Sequence, residues 1–133
     1  MAGIKAKNTK PEMIVRRGLH AMGFRFQLHD GKLPGKPDLV FPKYRAAIFV
    51  NGCFWHGHEC AHFKWPKTRE EFWRAKIGST KARDLVVLEA LKQLGWGAEV
   101  IWECELRTDE TIQRQLLCKL ADRIKSRRLP SNA

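Results

Sequence analysis

Several features are missing from this chain, and each absence narrows what it can be. No apolar run approaches the roughly 18 residues of a membrane-spanning helix. The opening stretch, M-A-G-I-K-A-K-N-T-K, has no apolar core of the kind a secretory signal needs, so a cytoplasmic protein is expected. There are no internal repeats and no low-complexity segment. Negative charge is scarce: 14 Asp and Glu stand against 25 Lys and Arg, leaving a net charge of +11. A surplus of that size on 133 residues points to a polyanion, with nucleic acid ahead of a membrane surface because no basic segment has a clean apolar face. Four cysteines are present, but they cluster with histidines rather than forming a spaced disulfide framework, which favours metal binding. The length fits one domain, 1–133, with a basic tail from about residue 125.

The stretch that is present in force is F-V-N-G-C-F-W-H-G-H-E-C-A-H-F, residues 49–63. Cys53, His58 and Cys60 have the short spacing that lets two thiolates and an imidazole converge on one zinc ion. A fourth ligand must come from elsewhere. Cys104, in W-E-C-E, is the candidate, and His62 is an alternative just outside the tight group. Four protein ligands leave no open position, so such a site is structural rather than catalytic. The bland alternative is that Cys53 and Cys104 are simply buried thiols. Cys118 falls at an apolar position of an expected helix and reads as a buried structural thiol.

Around this loop the chain reads α-β-β-β-α-β-α, a mixed sheet flanked by helices. N-T-K-P-E opens a helix with Thr9 as cap; Glu12 is either part of that cap or an acid aimed at a site. Residues 24–28 alternate as a half-buried strand, and a basic, turn-rich loop then delivers Asp38 to the strand L-V-F. Residues 46–50, A-A-I-F-V, form a strand buried on both faces that ends where the metal loop begins. Thr68 caps a short helix that Gly78-Ser79 interrupts, and a longer helix, 80–94, carries Leu85, Leu88, Leu91 and Leu94 on one side. A strand at 96–103 leads to Cys104, and Thr108-Asp109 caps a last helix with Ile112, Leu116, Leu117, Leu120 and Ile124 inward.

Three further residues carry open alternatives. Asp38, after Pro37, is a turn residue or an oxygen ligand for a divalent cation that assists phosphate chemistry. His56, left over from the zinc set, is a surface histidine or a group that moves a proton. Phe54 and Trp55 are core residues or a wedge inserted between DNA base steps.

Taken together, P-G-K-P-D-L-V-F, F-V-N-G-C-F-W-H-G-H-E-C, F-W-R-A-K-I-G, V-I-W-E-C and N-T-K-P-E-M resemble the very-short-patch repair (Vsr) DNA mismatch endonucleases over roughly residues 1–125. The resemblance implies a restriction-endonuclease-like α/β core related to the PD-(D/E)XK nucleases. It implies a bacterial, cytoplasmic, nucleoid-associated enzyme that nicks duplex DNA 5′ to the T of a T:G mismatch. Asp38 then matches the Mg²⁺-binding aspartate, with the Val50 main-chain oxygen as a further ligand; His56 matches a catalytic histidine and Glu12 the helix acid near the site. Cys53, His58, Cys60 and Cys104 match the structural zinc ligands, Phe54 and Trp55 the aromatic wedge, and Met1 an arm residue entering from the other groove. Asn51 stands where some members have a second active-site histidine, and an amide cannot transfer a proton at neutral pH. The expected partners are double-stranded DNA with a T:G mismatch and mismatch-repair proteins, and the expected state is a monomer. The alternatives are a non-catalytic, zinc-stabilised binder of distorted DNA, or a related nuclease with a different target.

Overall fold

A computed structural model describes residues 9–53, 56–58, 60 and 64–127 of the chain. Met1, Phe54, Trp55 and His62 lie outside the described residues. The first helix, α1 (Lys10–Ala21), starts where Thr9 accepts a hydrogen bond from the Glu12 N–H at 3.4 Å, with Pro11 in the first turn. Four strands follow in one sheet of order β1-β2-β3-β4: β1 (Gln27–Leu28), β2 (Leu39–Phe41), β3 (Ala46–Asn51) and β4 (Gly97–Trp102). The first three pair antiparallel and β4 runs parallel to β3, so the sheet is mixed. The parallel pair requires a crossover, and the long helix α2 (Glu70–Gln93) supplies it. The last helix is α3 (Glu110–Lys125), capped by Asp109, whose carboxylate accepts from the Ile112 N–H at 2.9 Å.

The period-2 alternation of a strand decides which residues meet which helix. Leu39 and Phe41 of β2, Ala46 and Ile48 of β3 and Ile101 of β4 pack with Val15 and Leu19 of α1 and Leu117, Leu120, Ala121 and Ile124 of α3. The alternate residues Phe49 and Val100 line a cavity with Val87 and Leu88 of α2, so helices cover both faces. Among the described residues, no helix is long and apolar enough to cross a membrane.

Several local expectations are corrected. The strand at 24–28 shrinks to Gln27–Leu28, because the Phe24 N–H closes the end of α1 on the Leu19 carbonyl at 3.1 Å. Phe24 and Phe26 instead pack their rings on Phe41, at centroid distances of 5.7 and 5.4 Å. Gly78-Ser79 does not interrupt helicity: α2 is continuous, and the Thr80 hydroxyl bonds back to the Lys76 carbonyl rather than capping a new helix. Its N-cap is Arg69, not Thr68. The four leucines do not share a face. At about 100° per residue, a spacing of three lags by about 60° each step, so the first and last of four end on opposite sides. Leu91 is buried and Leu88 half-buried, while Leu85 is 70% and Leu94 54% exposed. Cys118 is exposed, since the inward arc of α3 runs through Leu117, Leu120, Ala121 and Ile124 and leaves it outside. Ile112, in the first turn of α3, is also exposed.

Candidate active site and metal centre

Asp38 sits immediately before β2 and is held by the sheet on both sides. Its N–H donates to the Ile48 carbonyl at 3.0 Å, and its own carbonyl accepts from the His29 N–H at 3.1 Å. One carboxylate oxygen, Oδ2, accepts the Val50 N–H at 2.7 Å. Asp38 is therefore a fixed group at the end of the antiparallel ladder. Burial pushes its carboxyl up to about 6; the Val50 N–H works against that rise, and the nearby Glu12 charge adds to it.

Glu12 comes to the same place from α1. It is 2% exposed, accepts from Arg16 at 3.4 Å, and lies 2.8 Å from Nε2 of His29. The ambiguity over Glu12 resolves structurally: Thr9 caps the helix through the Glu12 backbone, and the Glu12 carboxylate is turned toward Asp38. Ligand atoms of Glu12, His29 and Asp38 all lie within 4.8 Å of one another, a donor set of two carboxylates and an imidazole that suits a divalent cation. His29 was not legible as a site residue. It sits in a turn-rich loop, and only the β1–β2 pairing carries it to Asp38.

The second half of the site comes from the metal loop and α2. Nδ1 of His56 lies 2.6 Å from Oδ2 of Asp84, with both side chains partly exposed. A carboxylate at Nδ1 holds the proton there and leaves Nε2 as the ring's basic nitrogen. Asp84 is 28 residues away along a charged helix, and no local pattern marks it. His56, Asp84, Asp38, Asn51, Lys36, Thr80 and Arg83 line one cavity of about 330 Å³. Acids, a histidine–carboxylate pair and two cations thus face one space.

In the same loop and just past β4, Cys53, His58, Cys60 and Cys104 converge, again with all ligand atoms within 4.8 Å of one another. Two backbone bonds, from the His58 N–H to the Cys53 carbonyl at 2.8 Å and from the His56 N–H to the Gly52 carbonyl at 3.3 Å, coil the loop so that its side chains point together. Gly57, at φ +63°, makes the turn possible, and a Cβ there would meet Ile77 of α2 at 2.6 Å. The Cys104 sulfur lies 3.6 Å from Nδ1 of His58, and sulfur and nitrogen sharing a tetrahedral zinc would be about 3.6 Å apart. The His58 ring stacks on Trp102 at 4.1 Å, which fixes its orientation. Burial pushes the Cys104 thiol up to about 12, with Cys53 and Cys60 adding to the rise, and raises Cys53 as well. Such crowded thiols ionise together only around a cation, which this donor set fits as zinc.

Comparison with known proteins adds to this geometry. The family model described as DNA mismatch endonuclease Vsr matches residues 1–62. The type II nicking enzyme V.XorIIP of Xanthomonas oryzae pv. oryzae is 49% identical over 106 residues, 80% of this chain and 78% of that protein. The DNA mismatch endonuclease Vsr of Escherichia coli K12 is 42% identical over 121 residues, 87% of this chain and 78% of that protein. The chain belongs to the Vsr family. A third relative, the type II nicking enzyme V.NmeAIP of Neisseria meningitidis, is 41% identical over 94% of this chain and 89% of its own length. The span matched by the Vsr family model includes Glu12, Asp38, Asn51, Cys53, His56, His58 and Cys60; Asp84 and Cys104 lie beyond it and are brought in by the fold.

Proposed function

We propose that this chain is a DNA endonuclease that nicks one strand of duplex DNA 5′ to the T of a T:G mismatch, as in very-short-patch repair. The observation that carries the reading is the single cavity shared by Asp38 and the His56–Asp84 pair on a strongly basic chain. The names of the relatives, DNA mismatch endonuclease and type II nicking enzyme, support it. Asp38, Glu12 and the Val50 main-chain oxygen are the groups that would hold Mg²⁺. Bound there, the ion supplies positive charge for the phosphate oxygens as the phosphorus is attacked. Water forms the new P–O bond as the P–O bond to the leaving sugar oxygen breaks; Nε2 of His56 takes the proton from that water, and the leaving oxygen takes a proton from solvent water. Asp84 stabilises the resulting imidazolium and keeps the ring oriented. Asn51 contributes hydrogen bonding only, so the proton work rests on His56. Lys36 and Arg83 flank the cavity as phosphate contacts. Phe54 and Trp55 are the proposed wedge, opposed by Met1; unstacking costs least at a mispaired step, which favours the mismatch.

Zinc on Cys53, His58, Cys60 and Cys104 has a structural role, tying the loop that carries His56 to the end of β4. The sheet, with its acid at the start of β2 and a parallel crossover after β3, is in keeping with a restriction-endonuclease-like core. We place the protein as a monomeric single domain in the bacterial cytoplasm, at the nucleoid, with mismatch-repair proteins as partners.

The test is strand nicking of matched and T:G duplexes, with Mg²⁺ or with no divalent cation added. Nicking beside the mismatched T should require Mg²⁺ and vanish in Asp38→Ala. It should fall by roughly 10²–10⁴-fold in His56→Ala, the range of a lost general base, and by less in Asp84→Asn. Mismatch binding without nicking by zinc-loaded wild type would favour a non-catalytic binder, and equal nicking of matched DNA would sink the mismatch specificity.

A further inference from the structure

His29 is placed with more care than a loop residue needs. It directly follows β1 in the left-handed region, at φ +49°, a conformation that costs a non-glycine residue energy and persists where surrounding contacts hold it. Two contacts do so. Its N–H is bonded to the Asp38 carbonyl, and its Nε2 lies 2.8 Å from Oε2 of Glu12, with the ring 15% exposed. Two donors bound to one ion at about 2.1 Å, on adjacent corners of an octahedron, are about 3.0 Å apart. The imidazole and the Glu12 carboxylate are thus already near the separation that ligation demands. Glu12 and Asp38 are both acids drawn from water to within hydrogen-bonding distance, where they crowd each other unless a proton or a cation lies between them.

We propose that His29 is a nitrogen ligand of the active-site cation, completing a Glu12–His29–Asp38 set that shifts its preference from Mg²⁺ toward first-row divalent ions such as Mn²⁺. This deepens the nuclease reading and rests on it, since the cation is the one that reading assigns to Asp38. An imidazole nitrogen adds little for Mg²⁺, which demands oxygen, and more for a first-row divalent ion, least at Mn²⁺ and increasingly along the series from it. The geometry also assigns separate tasks to the two histidines of the site. His56 has its Nδ1 committed to Asp84 across the cavity, whereas His29 faces the acids.

The experiment adds Mn²⁺ to the zinc-loaded protein and records pulsed electron paramagnetic resonance, which detects a nitrogen bound directly to manganese. Wild type and His56→Ala should both show the nitrogen coupling, and His29→Gln should lose it. The Mn²⁺ affinity of His29→Gln should drop by at least roughly tenfold, the size that even a supporting partner of a ligand is worth. Its Mg²⁺ affinity should change less. Zinc content and circular dichroism check that His29→Gln is folded; should it not be, the wild-type spectrum still decides. Bound Mn²⁺ with no nitrogen coupling, coupling that survives in His29→Gln, or no Mn²⁺ binding would each overturn the assignment. Parallel nicking assays keep the two readings apart. Nicking without nitrogen coupling removes His29 from the ligands and leaves the nuclease; coupling without nicking keeps the centre and removes the nuclease.

Discussion

Asp38 carries a cost that its site imposes. A carboxyl raised from 3.8 to about 6 binds its proton more tightly in the folded chain than in the unfolded one. Below the unfolded value it is protonated in both states and contributes nothing to the pH dependence. As pH rises from that value to the folded one, the unfolded chain releases a proton that the folded chain still holds, and stability is lost by up to roughly 2–3 kcal/mol, fully so above about 6. Asp38→Asn keeps an acceptor for the Val50 N–H and removes that charge. Without added divalent cation, its melting temperature should exceed that of wild type at pH 8 and approach it only near pH 4. A gap that is constant across that range would mean that Asp38 is not held above its ordinary value. On the proposed mechanism the same substitution should abolish nicking, the residue then trading stability for chemistry.

Among the elements, the long crossover helix and the metal loop make opposite demands on glycine. Gly78 lies inside α2, and a Cβ there would meet nothing within 4 Å. Gly78→Ala should therefore stabilise the protein by about 0.5–1 kcal/mol, the difference in helix propensity, raising the melting temperature by a few degrees. Gly57 combines a φ of +63° with a Cβ position 2.6 Å from Ile77. Gly57→Ala should destabilise by about 1–3 kcal/mol and loosen the loop that carries His56. Equal shifts for the two variants in thermal melts would refute this division. The same helix shows how one element serves two ends. Ile77 packs under the metal loop while Asp84, two turns on, reaches His56.

For the whole molecule, the Cys53–His58–Cys60–Cys104 cluster joins segments 51 residues apart, from Cys53 to Cys104, and the zinc proposed there would order the His56 loop. Metal analysis should find about one zinc per chain, as one closed site requires. Cys104→Ser should lower zinc content and melting temperature together, and should reduce nicking because His56 loses its support. Zinc content unchanged in that variant would remove Cys104 from the ligands.

Some of this was already decided by sequence and some was not. The chain's own order of residues determined the elements whose signals are local: the Thr9 cap, the buried A-A-I-F-V strand, the clustered ligands around Cys53, and the acid placed ahead of L-V-F. Local spacing could also mislead. It put Leu85 and Cys118 inside, because apolar character alone does not say which arc of a helix meets the sheet. Only the tertiary structure brought Asp84 to His56 and His29 to Glu12 and Asp38. Those contacts depend on strand register and on the crossover of α2, and both are set by burying one face of each element against the others.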